Sequence, residues 1–173
     1  MGEILASDDT IYRRLQQHLD KLPIGFPSTV TGVEKRILRY LFTPEEAELA
    51  LLLAEPFETV DEIILRNRQN AANIKDAAEL ENKFTDMAKK GLILQRDNDD
   101  RKQFAILALV VGMFELNLKN LTHNFVKDVE SYLKQAFALE MLNSQIPQFR
   151  TIPIEQSITA ENMVLAYDEV GEL

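Results

Sequence analysis

Cysteine is absent from the 173 residues, and histidine occurs only twice, as His18 and His123. The first absence excludes disulfides and thiolate metal sites within the chain, and with them the usual mark of a secreted fold. The two histidines fall on separate helical segments without His-x-x-x-His spacing, so surface or interface positions are expected for both. No glycine-rich phosphate loop occurs, and no Ser-His-Asp arrangement can be proposed from spacing. No apolar run reaches the length of about 20 residues that a membrane span needs, and Met1 to Asp9 lacks the basic start and apolar stretch of a signal peptide. The expectation is a cytoplasmic chain that is not an enzyme, with no catalytic, cofactor-binding or metal-binding residue of its own.

Positive charge is also scarce. Nineteen lysines and arginines stand against 28 carboxylates, giving a net charge of -9 and a pI near 4.8. Duplex binding draws most of its affinity from cationic contacts to phosphate, so a nucleic-acid partner is disfavoured.

What is present is helical periodicity with clear punctuation. Met1 to Asp9 is small and acidic and reads as poorly ordered. Leu15, Leu19 and Leu22 then recur at helical spacing between Ile11 and Leu22, until Pro23, Gly25 and Pro27 impose an extended connection in which Ile24 and Phe26 serve as anchors. From Val33 to Leu41, Val33, Ile37, Leu38 and Leu41 share one side of a helix, with Glu34, Lys35, Arg36 and Arg39 on the other. Thr43-Pro44-Glu45-Glu46 combines an N-cap threonine, proline at the first helical position and a capping-box glutamate. The helix it opens is expected to run to Glu55 and Pro56. Thr59 to Glu62 repeats the logic for a shorter helix through about Asn67, with Ile63 and Ile64 buried, followed by a polar link from Gln69 to Lys75. Asp76 opens a third helix carrying Ala77, Leu80, Phe84 and Met87 on one face, with Gly91 as its left-handed stop. Leu92 to Gln95 and Phe104 to Leu109 read as two strands around the turn-forming run Asp97-Asn98-Asp99-Asp100.

The fold class that follows is mainly α with a small β-hairpin: a winged helix at 32–109, preceded by an N-terminal helix and connection at 1–31. A long helix at 110–142 and an extended tail at 143–173 complete the chain. In the long helix Phe114, Leu118, Leu121, Phe125, Val129, Tyr132, Ala136 and Leu139 make a seam in steps of four and three. From Gly112 to Met141 it would span about 45 Å, more than a small domain needs, so part of the seam is expected to dock on the N-terminal helix, a second copy of the chain or another domain.

A winged helix raises the possibility of a DNA-binding transcription regulator, with Asp76 to Lys90 as the recognition helix. Its polar positions are Glu79, Glu81, Asn82, Lys83, Thr85 and Asp86, with Lys89 and Lys90 only at the end. Carboxylates dominate where groove-reading helices present cations and amides. The hairpin offers Arg96, Arg101 and Lys102 but offsets them with Asp97, Asp99 and Asp100. The same aspartates lack the glycine and terminal glutamate of a calcium loop. Phe114, Phe125, Tyr132 and Phe137 sit where core or partner packing, and not a cofactor box, is expected.

Three stretches, His18-Leu-Asp-Lys-Leu-Pro-Ile-Gly-Phe-Pro27, Gly32-Val-Glu-Lys-Arg-Ile-Leu-Arg-Tyr-Leu-Phe-Thr-Pro-Glu-Glu-Ala47 and Gln145-Ile-Pro-Gln-Phe-Arg-Thr-Ile-Pro-Ile-Glu155, carry a resemblance in order and spacing, as does Met87 to Ile93. Read together they resemble the N-terminal region of a bacterial and archaeal family of iron-sulfur proteins, in which a winged helix precedes a ferredoxin-type domain holding 4Fe-4S clusters. The resemblance implies a non-catalytic module of an electron-transfer protein, a scaffold and protein-interaction surface whose partner is a downstream ferredoxin-type domain, a redox partner or a second copy. Because the chain has no cysteine, none of the family's cluster ligands carries over to any residue here; the clusters would belong to a cysteine-rich region downstream.

Overall fold

Helix signals in the sequence and helices in the computed structural model coincide at most starts and differ at several ends. The structure describes residues 2–68, 76–99 and 101–137. The expected tail at 143–173, the link from Gln69 to Lys75, Leu139 and the side chain of Phe137 lie outside the described residues. Helix α1 spans Gly2–Leu19, α2 Val33–Leu41, α3 Pro44–Ala50, α4 Val60–Arg66 and α5 Ala77–Lys89. Strands β1 (Ile93–Asn98) and β2 (Arg101–Ile106) pair antiparallel from Ile93 opposite Ile106 to Asn98 opposite Arg101. The other edge of β2 takes up the segment before α4: Glu58 exchanges two backbone hydrogen bonds with Phe104, and the Ile106 N–H donates to the Ala54 carbonyl. The result is a mainly helical fold with a small antiparallel hairpin and a C-terminal helical segment.

The start signals act as the chemistry requires. Thr43 and Thr59 each accept the backbone N–H three residues on, and Glu46 and Glu62 reach back to the N–H of the threonine, so both capping boxes close. Asp76 caps α5 through the Ala78 N–H. At the far end of α5, Gly91 sits at φ 72, with its N–H bonded to Ala88 and the Leu92 N–H to Met87, the two bonds of a Schellman stop. Asp99 turns the hairpin at φ 48, the left-handed region that aspartate tolerates better than most residues.

Several expectations need correction, among them the strands, which run over Ile93–Asn98 and Arg101–Ile106 instead of Leu92 to Gln95 and Phe104 to Leu109. The N-terminal helix starts at Gly2 and not near Ile11, and its first turns are held down at Asp9, whose carboxylate receives Lys35 and Arg39 of α2. Helix α3 stops at Ala50, short of Glu55, because the carbonyls beyond it find side-chain donors: Arg66 and Asn67 take that of Leu52, and His18 that of Leu53. Glu34 is fully buried and not on a solvated face. Its carboxylate accepts the Thr29 N–H and hydroxyl and pairs with Arg13, which fastens the proline-bounded connection to α1 and α2. The smallest correction is Ile64, half-buried beside a fully buried Ile63.

The expected long helix is broken. A π-helical turn at Leu109–Met113 leads into the single turn α6 (Phe114–Leu116) and a 3-10 turn at Leu118–Asn120, and α7 (His123–Tyr132) starts afresh before a second π-helical turn at Leu133–Phe137. Side chains that compete with the helix ladder cluster at the break: Asn117 donates to the carbonyls of Met113 and Gly91, and Thr122 accepts the Phe125 N–H as a new N-cap. Leu118, expected in the seam, is 53% exposed. Phe125, Val129, Tyr132 and Ala136 are buried, and the surface they meet belongs to this same chain. Tyr40 of α2 stacks on Phe125 at 4.2 Å, Phe26 lies 4.8 Å from Tyr132, and Arg36 of α2 makes a forked ion pair with Asp128. That part of the seam completes the chain's own core.

Candidate interaction surfaces

Helix α5 and the hairpin form the face that a DNA-binding winged helix would turn to the duplex. The capping of Asp76 and the Schellman stop at Gly91 fix its axis, and Leu80, Phe84 and Met87 hold its inner side to the core, with Phe84 5.3 Å from Phe104 of β2. Its outer side is a lattice of ion pairs. Lys83 reaches Glu45 at 2.7 Å and Glu79 at 3.0 Å, Lys89 reaches Asp86, Lys90 reaches Glu46, and Lys102 of β2 reaches Glu81 at 3.4 Å. Arg96 lies over the Phe57 ring at 4.3 Å and donates to Gln103. Arg101 stands where Glu62 feels its charge. Burial pushes the Glu46 carboxyl upward, but Lys90 and the Thr43 N–H outweigh it and leave the group below the usual carboxylate range. A cleft of about 440 Å³ between the starts of α4 and α5 has the same mixed character, with Asp61 and Glu81 facing Arg101 and Lys102.

A second cleft, of about 550 Å³, lies on another side of the molecule, between the end of α1 and the end of α3. It is lined by Arg14, Gln17, His18 and Lys21 from the α1 side and by Glu48, Leu51, Leu52 and Asn67 from the other. His18 is half-buried there, its Nε2 2.8 Å from the Leu53 carbonyl. Burial holds its imidazole below the ordinary value of 6.5; Lys21 and Arg66 lower it further, against the opposing hydrogen bond to Leu53. His123, the first residue of α7, is exposed and remote in sequence from this cleft. Of the run expected to form the turn, Asp97 and Asn98 are exposed strand residues of β1, opposite Lys102 and Arg101, because the hairpin is tighter than expected; Asp99 is a turn residue, and Asp100 lies outside the described residues. Phe125 and Tyr132 are core residues, and Phe114 is half-buried beside Phe125 at 6.2 Å.

The α1 cleft is the feature that the sequence reading passed over. A signal was present: Arg14, His18 and Lys21 stand at i, i+4 and i+7, one side of a helix. Its significance needed the end of α3, which no periodicity in α1 specifies. Among the described residues, no group of three or more His, Asp or Glu side chains is placed to hold a metal ion, and no helix is long and apolar enough to cross a membrane. Comparison with family models, with curated proteins and with solved structures yields no match to this chain.

Proposed function

We propose that the chain is a non-catalytic protein-interaction module, a winged-helix scaffold that positions a ferredoxin-type iron-sulfur domain, and that it does not act as a regulator that grips DNA. The observation that supports this reading is the state of the cations on the α5 and hairpin face. Lys83, Lys89, Lys90 and Lys102 are all engaged by carboxylates of the chain itself. Phosphate contacts gain their free energy from released counterions, and a lysine already neutralised within the protein has few to release from DNA. The net charge of -9 adds a long-range repulsion from the duplex. The sequence resemblance supplies the electron-transfer part of the proposal, with the clusters on the partner domain and none on this chain.

The experiment has two arms. Titration against random duplex DNA at low salt is expected to give no binding; a steep fall of affinity with rising salt would overturn the reading in favour of the DNA regulator. Sedimentation with a reconstituted cysteine-rich ferredoxin-type domain is expected to give a complex. Absence of a complex at any salt concentration would sink the scaffold assignment.

A further inference from the structure

We propose that the cleft between α1 and the end of α3 is a docking site for an acidic peptide segment of a partner protein, with the partner's carboxylates on Arg14 and Lys21 and its apolar side chains on Leu51 and Leu52. The assignment deepens the interaction-module reading and rests on it for the nature of the occupant.

The first support is charge inventory. On α2 and α5 the lysines and arginines are held by the chain's own carboxylates, as Lys35 is by Asp9 and Lys83 by Glu45, whereas Arg68, Arg96, Arg101, Lys119, Lys127 and Lys134 have no ion pair among the described residues. Arg14 and Lys21 are exposed and have no ion pair among the described residues. Nor are they needed to cap the helices that end here, because the free carbonyls of Leu52 and Leu53 are already taken by Arg66, Asn67 and His18. Two cations without an ion pair therefore share one cleft, which Leu51 and Leu52 also line. The imidazole of His18 is lowered chiefly by its burial, and Lys21 and Arg66 add to this by opposing its protonation.

The geometry selects peptide over free phosphate. Helices α1, α3 and α4 all bring their C-terminal ends to this cleft, and Glu48 lines it. Helix C-termini carry partial negative charge, whereas phosphate sites draw on helix N-termini and arginine clusters. A dianion is repelled more than a single carboxylate in such a place. Arg14 lies on the last turns of α1 and Lys21 in the turn just past its end at Leu19. Side chains on one face of an extended peptide recur about every 7 Å, a spacing that two long flexible cations can meet. Glu48 then offers an acceptor to the peptide's backbone N–H groups.

The two histidines make the test direct, because His18 reports on the cleft and His123 on the rest of the fold. Proton NMR would follow both imidazoles during a pH titration, with and without the tetrapeptide acetyl-Glu-Leu-Glu-Leu-amide, whose two carboxylates share one face when extended, its neutral twin acetyl-Gln-Leu-Gln-Leu-amide, or inorganic phosphate. The acidic peptide is expected to raise the His18 pKa by about 0.5, the size of a partly screened carboxylate nearby, and to leave His123 unmoved. The double variant R14Q/K21Q, altered only at exposed positions, should weaken the acidic peptide at least tenfold while its His123 signal stays native. No response at His18, an equal response to the neutral twin, or a response reproduced by phosphate and retained in R14Q/K21Q would overturn the proposal. Failure here together with a stable complex with the ferredoxin-type domain would leave the module reading intact and move its docking surface elsewhere.

Discussion

Replacing Gly91 and Gly32 separately with alanine divides the cost of a left-handed backbone from the cost of crowding. Both glycines have positive φ, 72 at Gly91 and 66 at Gly32. An L-residue in that region loses about 1–2 kcal/mol, offset by a few tenths to about 1 kcal/mol from the stiffer unfolded chain. For G32A the account ends there, because the added Cβ would meet only the Lys35 Cε at 3.5 Å, so a loss of about 1 kcal/mol is expected. At Gly91 the Cβ would lie 2.7 Å from the Leu116 Cβ and 3.2 Å from the Asn117 Nδ2, the atom that donates to the Gly91 carbonyl. Neither neighbour is the free end of a long side chain. Overpacking of this kind costs about 1–3 kcal/mol, which brings G91A to about 2–4 kcal/mol. Urea unfolding measures both, and a chain of this size should melt roughly 4–16 °C lower for G91A. Equal losses in the two variants would refute the close packing of α6 and Asn117 against the end of α5.

Removing the caps should cost about 1 kcal/mol for T43A and up to about 2 kcal/mol for T59A in urea unfolding, since Thr59 is buried and its hydroxyl both accepts the Glu62 N–H and donates to the Glu62 carboxylate. E34A leaves the Thr29 N–H and hydroxyl without their acceptor and should destabilise by about 2–3 kcal/mol, with E34Q recovering part of the loss. Stability should fall with acid in two windows. His18 has a depressed pKa, so its contribution is complete above 6.5 and is lost as pH falls from there toward its folded value; H18Q removes that window. Glu46, also depressed, contributes fully above 4.5 and loses its contribution as pH falls below that, a loss that E46Q should reduce but not remove, since Asp9 and Glu62 are depressed as well. Urea midpoints between pH 4 and 8 and between pH 2 and 5 check each; an unchanged profile in either variant would contradict the assigned partner contacts.

Local chemistry in the sequence determined the elements whose cause lies within four or five residues. Thr43, Thr59 and Asp76 cap where they stand, because a hydroxyl or carboxylate reaches the backbone N–H two or three residues on with little help from elsewhere. Gly91 stops α5, and Asp99 turns the hairpin, for equally local reasons of φ. Periodicity named the α2 face, and Val33, Ile37, Leu38 and Leu41 are all buried. Long-range partners decided the rest. The end of α3 depends on donors from α1 and the end of α4, the break before α7 on Asn117 reaching back to Gly91, and the burial of Glu34 on Arg13 and Thr29. The same holds for function: a row of lysines is visible in sequence, but whether each remains available to a ligand depends on carboxylates up to 44 residues away, as with Lys90 and Glu46. Charge composition sets a protein's total, and only folding assigns each charge its partner, because the Coulomb energy of a pair depends on separation in space and on the water between them.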